Sequence, residues 1–289
     1  MRVILRSRAI PAALLLAALC CAPAAPSQNQ AGAVALAEKQ ISEYLEQLAD
    51  VHCTETVVQE KLAEDGHVEA SAREQFDYLI MMSGNEDDFQ LTESRIEPSG
   101  FRRKLLSFPM LVTNGMSTML VVFHPYYSDS FQFETHSEEL IDGRTTIPIV
   151  FTEIPGRRTP AALALRGREY PLYLQGTAWL DKKSGEVVKM DASLLHEMSD
   201  VGLRSLSIHV EYRATQLGTG TPQVMMPSLA VVDVTTPRQH WRNTHFFGNY
   251  QSFSTSVEQE PGVKVHDSGT NSDHQPVVRP AFDGDMGRE

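Results

Sequence analysis

The residues able to do chemistry are numerous in this chain but poorly grouped. Ten histidines are scattered along 289 residues. None falls in an H-E-x-x-H or paired C-x-x-C arrangement, the spacings that gather metal ligands. His52 and Cys53 are adjacent, so on a strand they point to opposite faces. His209 and Glu211 are two apart and share a strand face. They can supply two metal ligands, and the polar side of an exposed strand explains them equally well. No metal and no cofactor is expected. A serine nucleophile usually sits in G-x-S-x-G, whereas "GMS" at 115–117 lacks the later glycine. The acid pairs Asp87-Asp88 and Glu138-Glu139 fall at turns or polar ends, where solvation accounts for them. Acids from distant strands can still meet as a glycosidase-like pair. No catalytic residue is assigned.

Two segments have a more pointed composition. "NGMSTMLVVFHPYY" places Met116, Met119, Leu120 and Phe123 on one helical stripe, which Pro125 stops, and adds Tyr126 and Tyr127. Met adapts to irregular apolar ligands, so these six residues are the candidate ligand-binding set. The competing reading is a helix face packed on a core. The loop 155–168 carries Arg157, Arg158, Arg166 and Arg168 on an acidic protein. It can meet a lipid headgroup or an acidic partner, or remain a solvated loop.

These residues need elements to position them. Residues 32–50 carry Val34, Leu36, Ile41, Tyr44, Leu45 and Leu48 at helical spacing, which predicts an amphipathic helix. The period then changes to two. Strands are predicted over 51–62, 68–82 and 89–97, with Asp65-Gly66 as a hairpin signal. After the short internal helix, strands return from Phe131, turn at Asp142-Gly143, and continue through 172–181, 186–196, 206–217, 229–235 and 244–253. The total is about nine or ten strands in sequential hairpins. The fold class is α+β, mainly antiparallel β, with a barrel or strongly curved open sheet as the architecture.

Arg2, Arg6 and Arg8, then the apolar run 12–19, then Ala22 and Ala24 give the order of a secretory signal over 1–24. The apolar run is too short for a bilayer, which needs roughly 20 residues, so no transmembrane segment is expected in the mature chain. Lipidation of Cys20 or Cys21 is the alternative, although Leu19 and Cys20 are poor preceding residues for it. A single domain over 25–256 and a disordered tail over 257–289, rich in Pro, Gly, Asp and Ser, complete the organisation. Of three cysteines, only Cys53 lies beyond the signal, where it is a reactive thiol, a partner for a cysteine of another chain or, more simply, a small buried residue in a strand. The net charge of -12 repels phosphate backbones, so nucleic acid is not an expected partner. The expected location is periplasmic or secreted.

The signal and helix, the meander "VHCTETVVQEKLAEDGHVEASAREQFDYLIMM" and the hairpin "GTAWLDKKSGEVVKMDASL" together resemble the periplasmic lipoprotein-carrier superfamily, the LolA-like and RseB-like proteins. The resemblance implies an incomplete antiparallel barrel whose open mouth is covered by helices. It also implies an apolar concave face that receives acyl chains, and a lipid, another apolar ligand or a lipoprotein as partner. The function expected is therefore non-enzymatic binding outside the cytoplasm. A structural or protein-interaction module with a filled core is one alternative, and an unrecognised hydrolase is another.

Overall fold

A computed structural model describes residues 28–49, 51–83, 90–97, 111–218, 220–252 and 281–283. The proposed signal, Asp87-Asp88 and nearly all of the proposed tail lie outside them. The chain opens with helix α1 (Gln28–Ala49), followed by strands β1 (Val51–Leu62), β2 (Val68–Ser83) and β3 (Gln90–Ile96). A 3-10 segment (Met116–Phe123) and the short helix α2 (Pro125–Ser128) come next. Then follow β4 (Phe131–Thr135), β5 (Glu139–Ile141), β6 (Arg144–Glu153), β7 (Ala162–Leu165), β8 (Arg168–Pro171) and β9 (Leu174–Asp181). The series continues with β10 (Val187–Leu194), β11 (Ser205–Gln216), β12 (Gln223–Thr235), β13 (His240–Ser252) and β14 (Ala281–Asp283).

Eleven of these strands form one sheet in the order β3-β2-β1-β13-β12-β11-β10-β9-β6-β4, with β5 also on β6. Every pairing in it is antiparallel. The sheet joins two meanders through β1 and β13, the step that sequential hairpins alone do not supply. It does not close, because β3 and β4 stand at its two ends. It is strongly curved nonetheless. Helix α1 touches β1 and β2 near one end and β4 and β6 near the other, which a flat sheet forbids. This is the mainly antiparallel, incomplete barrel expected for the chain.

Local sequence explains the strands. In β1, Val51, Cys53, Glu55 and Val57 are buried while the residues between them are only partly so. Asp142 (φ 48) and Gly143 (φ 79) both adopt left-handed backbone, the type I′ geometry that an Asp-Gly hairpin supplies. Asp181 ends β9 and receives the Lys183 amide on Oδ1 at 2.8 Å, fixing the Lys-Lys-Ser-Gly turn. The buried stripe of α1 is Ala33, Ala37, Ile41, Tyr44, Leu45 and Leu48. Val34 and Leu36 flank it instead of belonging to it.

Two predicted segments differ. The predicted loop 155–168 contains β7, which pairs with β8 through the left-handed turn Arg166 (φ 52) and Gly167 (φ 73). Its apolar Ala162, Leu163 and Leu165 are buried, and that burial draws the segment into a strand. β7 also pairs in parallel with β14, within the segment read as a tail. The internal helix is 3-10 over eight residues, and Pro125 starts α2 instead of merely stopping a helix. Proline suits a first helical position because its missing N–H would be unsatisfied there anyway. His124 caps α2, its ring Nδ1 accepting the Tyr126 amide at 3.2 Å.

Candidate functional site

The concave face of the sheet is apolar over most of its width, with Ile149, Phe151, Leu174, Met190, Val210 and Val232 among its buried side chains. Two elements cover it. Helix α1 lies across it, and Met116–Phe123 fills the space beside the helix with every residue buried. Tyr44 ties the two covers together, since its hydroxyl donates to the Ser117 carbonyl at 2.7 Å. The Tyr44 ring also packs edge-on against Tyr212 of β11, 6.3 Å between centroids.

A 3-10 run of eight residues is long for a geometry whose hydrogen bonds are poor. Its ends show the i to i+3 pattern: Thr118 N bonds Gly115 O at 3.2 Å, and His124 N bonds Val121 O at 2.9 Å. The segment starts at Gly115 in the left-handed region (φ 78). Its β-branched Thr118, Val121 and Val122 disfavour a regular α-helix, so packing dictates the conformation more than propensity does.

Beside this plug the cup floor becomes polar. Glu55 and His245 are 0 % exposed and Thr113 is 1 % exposed. His245 Nδ1 lies 2.8 Å from Glu55 Oε1, and His245 Nε2 lies 2.6 Å from Thr113 Oγ1. Arg95 grips the same carboxylate, Nε to Oε2 at 2.5 Å and Nη2 to Oε1 at 2.7 Å. Arg95 also donates to the Thr113 carbonyl at 3.2 Å and to Asn114 Oδ1. Gln59 and Asn243 both donate to the Leu111 carbonyl, at 2.7 and 2.8 Å. The network therefore latches the Leu111–Gly115 lead of the plug onto β1, β3 and β13. Burial alone raises the Glu55 carboxyl, but hydrogen bonds and charge from His245 and Arg95 outweigh it and hold the group below its usual range. Tyr78 extends the network, donating to Glu93 Oε1 at 2.7 Å and meeting Ser117 Oγ at 2.5 Å. Burial dominates at Glu93 and raises its carboxyl.

Glu55, His245 and Thr113 form an acid–imidazole–hydroxyl chain, the order used by hydrolase relays. Here all three are sealed, and Thr113 Oγ1 also takes the Asn243 amide at 3.0 Å. A reacting carbonyl has no approach in this conformation. The arrangement acts as a clasp.

Among the described residues, one cleft into the cup lies between α1, the plug and the β9–β10 turn. It is lined by Gln40, Ile41, Tyr44, Leu120, Phe123, Val187 and Met225 and encloses about 50 Å³. That holds a few waters and no acyl chain.

Of the candidate ligand-binding residues, Leu120 and Phe123 line this cleft. Met116 and Met119 are buried in the core beside them. Tyr126 sits at the rim and Tyr127 packs against the core, both partly exposed and edge-to-face at 4.8 Å. The stripe is thus a core-facing plug and the inner wall of a cleft together. His209 does share a face with Glu211, at 3.3 Å, and its other nitrogen meets Asp191 at 2.5 Å. Among the described residues no such cluster has the arrangement of a metal site. Glu138 pairs with Lys182 at 2.6 Å, and Glu139 accepts from the Trp179 indole at 2.9 Å. Ser117, of the "GMS" string, is fully buried.

The clasp went unread in the sequence, yet it left a signal. Glu55 occupies an inward slot of β1 between Cys53 and Val57, and Asn243 and His245 alternate inward with Trp241 and Phe247. A charge at a core-facing register position requires a buried partner.

No protein-family model and no curated protein matches the chain. Among solved structures it is similar to a DUF1329 family protein from Desulfovibrio piger, with 10% identity and a TM-score of 0.43, over 78% of this chain and 94% of that one. It is also similar to a "putative outer membrane lipoprotein-sorting protein domain" from Vibrio parahaemolyticus, with 11% identity and a TM-score of 0.37, over 77% of this chain and 95% of that one.

Proposed function

We propose that the chain is an exported, non-enzymatic binding protein for an apolar chain, such as a lipid or a lipoprotein acyl group. Its cup is occupied by its own Met116–Phe123 segment until a ligand takes that place. The observation that carries this reading is the plug itself: an apolar 3-10 segment, wholly buried, hinged at a left-handed glycine and held by a polar clasp. The export signal read over 1–24 supports an extracytoplasmic setting.

The magnitudes are compatible with exchange. Burying Met116, Met119, Leu120, Val121, Val122 and Phe123 is worth about 9–18 kcal/mol at ~1.5–3 kcal/mol each. An acyl chain gains about 0.8 kcal/mol per methylene, so a chain of about 11 to 23 carbons offsets the loss and a short one does not.

The test is native mass spectrometry of gently extracted protein, followed by titration with a fluorescent fatty acid. A co-purifying lipid and chain-length-dependent uptake are expected. Gln40→Trp, at a half-buried lining position of the cleft, should weaken uptake at least tenfold with an unchanged unfolding midpoint. The small enclosed space favours a second reading, a filled interaction module. A folded protein that takes up neither lipid nor any hydrophobic dye establishes that second reading and removes the first.

A further inference from the structure

We propose that Arg157, Arg158 and Tyr126 form a site for a phosphate-type anion at the rim of the cup. As a lipid-headgroup site it rests on the apolar-chain reading; as an anion site it does not. The geometry begins with the turn. Gly156 adopts φ 84, and its amide donates to the Tyr173 hydroxyl at 3.1 Å, which pins the two arginines that follow. Arg158 then lies over Tyr126, its Cζ 3.8 Å from the ring centroid. Its Nη1 donates to the Tyr126 carbonyl at 3.0 Å. A guanidinium has five N–H donors in a rigid fork. Stacking and one bond fix this fork, and its other donors have no protein acceptor among the described residues. Arg–phosphate pairs use such a fork through two parallel bonds.

Both arginines line a depression of about 480 Å³, together with Pro125, Tyr126, Asp129, Ser130 and Gly156. Its charge is two arginines against one carboxylate, on a protein of net charge -12. Asp129 reaches Arg157 at only 3.7 Å, and the two side chains are 73 % and 56 % exposed. Such a pair is weak and exchanges readily with another anion. The place also matters. Pro125 of the depression is two residues from Phe123 of the apolar cleft, a span of at most about 7 Å of backbone. An amphiphile whose chain enters along the plug brings its head to these arginines.

The same chemistry belongs to a phospholipid headgroup and to a soluble phosphomonoester, and two probes separate them. Glycerol 3-phosphate is titrated into the full chain while the arginine side-chain NMR signals are followed. It has no acyl chain, so its binding does not depend on the cup opening. Phosphatidylcholine vesicles with and without phosphatidic acid form the second arm, with lipid transfer to the protein as readout. Wild type should bind glycerol 3-phosphate, Arg157→Gln/Arg158→Gln should weaken it at least tenfold, and Asp129→Asn should tighten it severalfold. Extraction of phosphatidic acid over phosphatidylcholine, lost in the arginine variant, identifies a lipid headgroup. Glycerol 3-phosphate binding without lipid transfer keeps the site as one for a soluble phosphate and overturns its assignment to a lipid headgroup. No glycerol 3-phosphate binding, or equal binding by wild type and the arginine variant, overturns the proposal.

Discussion

Arg95 reaches Glu55 across the strand that separates them. Its Cζ lies 5.7 Å from the Phe76 centroid and 5.8 Å from that of Tyr78, the β2 rings over which it passes. The register makes this possible, since Tyr78 stands opposite Arg95 and Phe76 opposite Glu55. The pair therefore binds β1 and β3 to one another and, through Thr113 and Asn114, to the plug.

Breaking this pair leaves a buried charge unmatched, which typically costs about 3–5 kcal/mol. Glu55→Ala and Arg95→Ala should each destabilise by that order in denaturant unfolding. The double variant should lose clearly less than the sum. Strict additivity would show that the two side chains do not work as one unit.

Glu153 supplies a pH dependence. It is 1 % exposed, and burial pushes its carboxyl up to about 7, although the Leu174 amide and Thr159 act in the opposite direction. The folded protein keeps this proton to about pH 7, while an unfolded chain releases it near 4.5. The unfolded state thus holds fewer protons in between, and stability falls as pH rises from about 4.5 to 7, then levels. The expected loss is about 3 kcal/mol, at 1.36 kcal/mol per unit of pKa. Glu153→Gln should remove this component in unfolding midpoints at pH 5, 6, 7 and 8. An unchanged slope would place the effect elsewhere.

Cys53 reports on the cup from inside. It is buried on the inner face of β1, and burial, then the Glu55 charge, push its thiol up to about 12, against a lowering bond to Tyr250. Thiolate is the reactive form, so native labelling at pH 8 should be at least about a thousandfold slower than in denaturant. Peptide mapping after timed alkylation measures this. Arg95→Ala should accelerate it by loosening the clasp. Fast labelling of the native wild type would mean that the floor is already open to solvent.

Gly185 sets how closely α1 approaches the β9–β10 turn. It has φ 77, and a Cβ there would fall 2.4 Å from Leu36 Cγ. Gly185→Ala should destabilise by about 1–2 kcal/mol from the backbone alone, with steric strain added. Adding Leu36→Ala should recover the steric part. Thermal unfolding of the single and double variants separates the two contributions.

The sequence by itself determined the local order of this protein. Period-two alternation in 51–62 and 206–217, the Asp142-Gly143 turn and the amphipathic run before Val51 act between near neighbours, and each element appears within a few residues of its pattern. Tertiary structure decided what those elements enclose. The β1–β13 pairing brings Glu55 to His245 across 190 positions, and no local pattern marks that contact. It also decided that Met116–Phe123 winds as 3-10 and not as a regular α-helix, because the space left between α1 and the sheet, not helix propensity, dictates the winding. Periodicity tells a residue which way to face. Only the pairing of distant strands supplies what it faces.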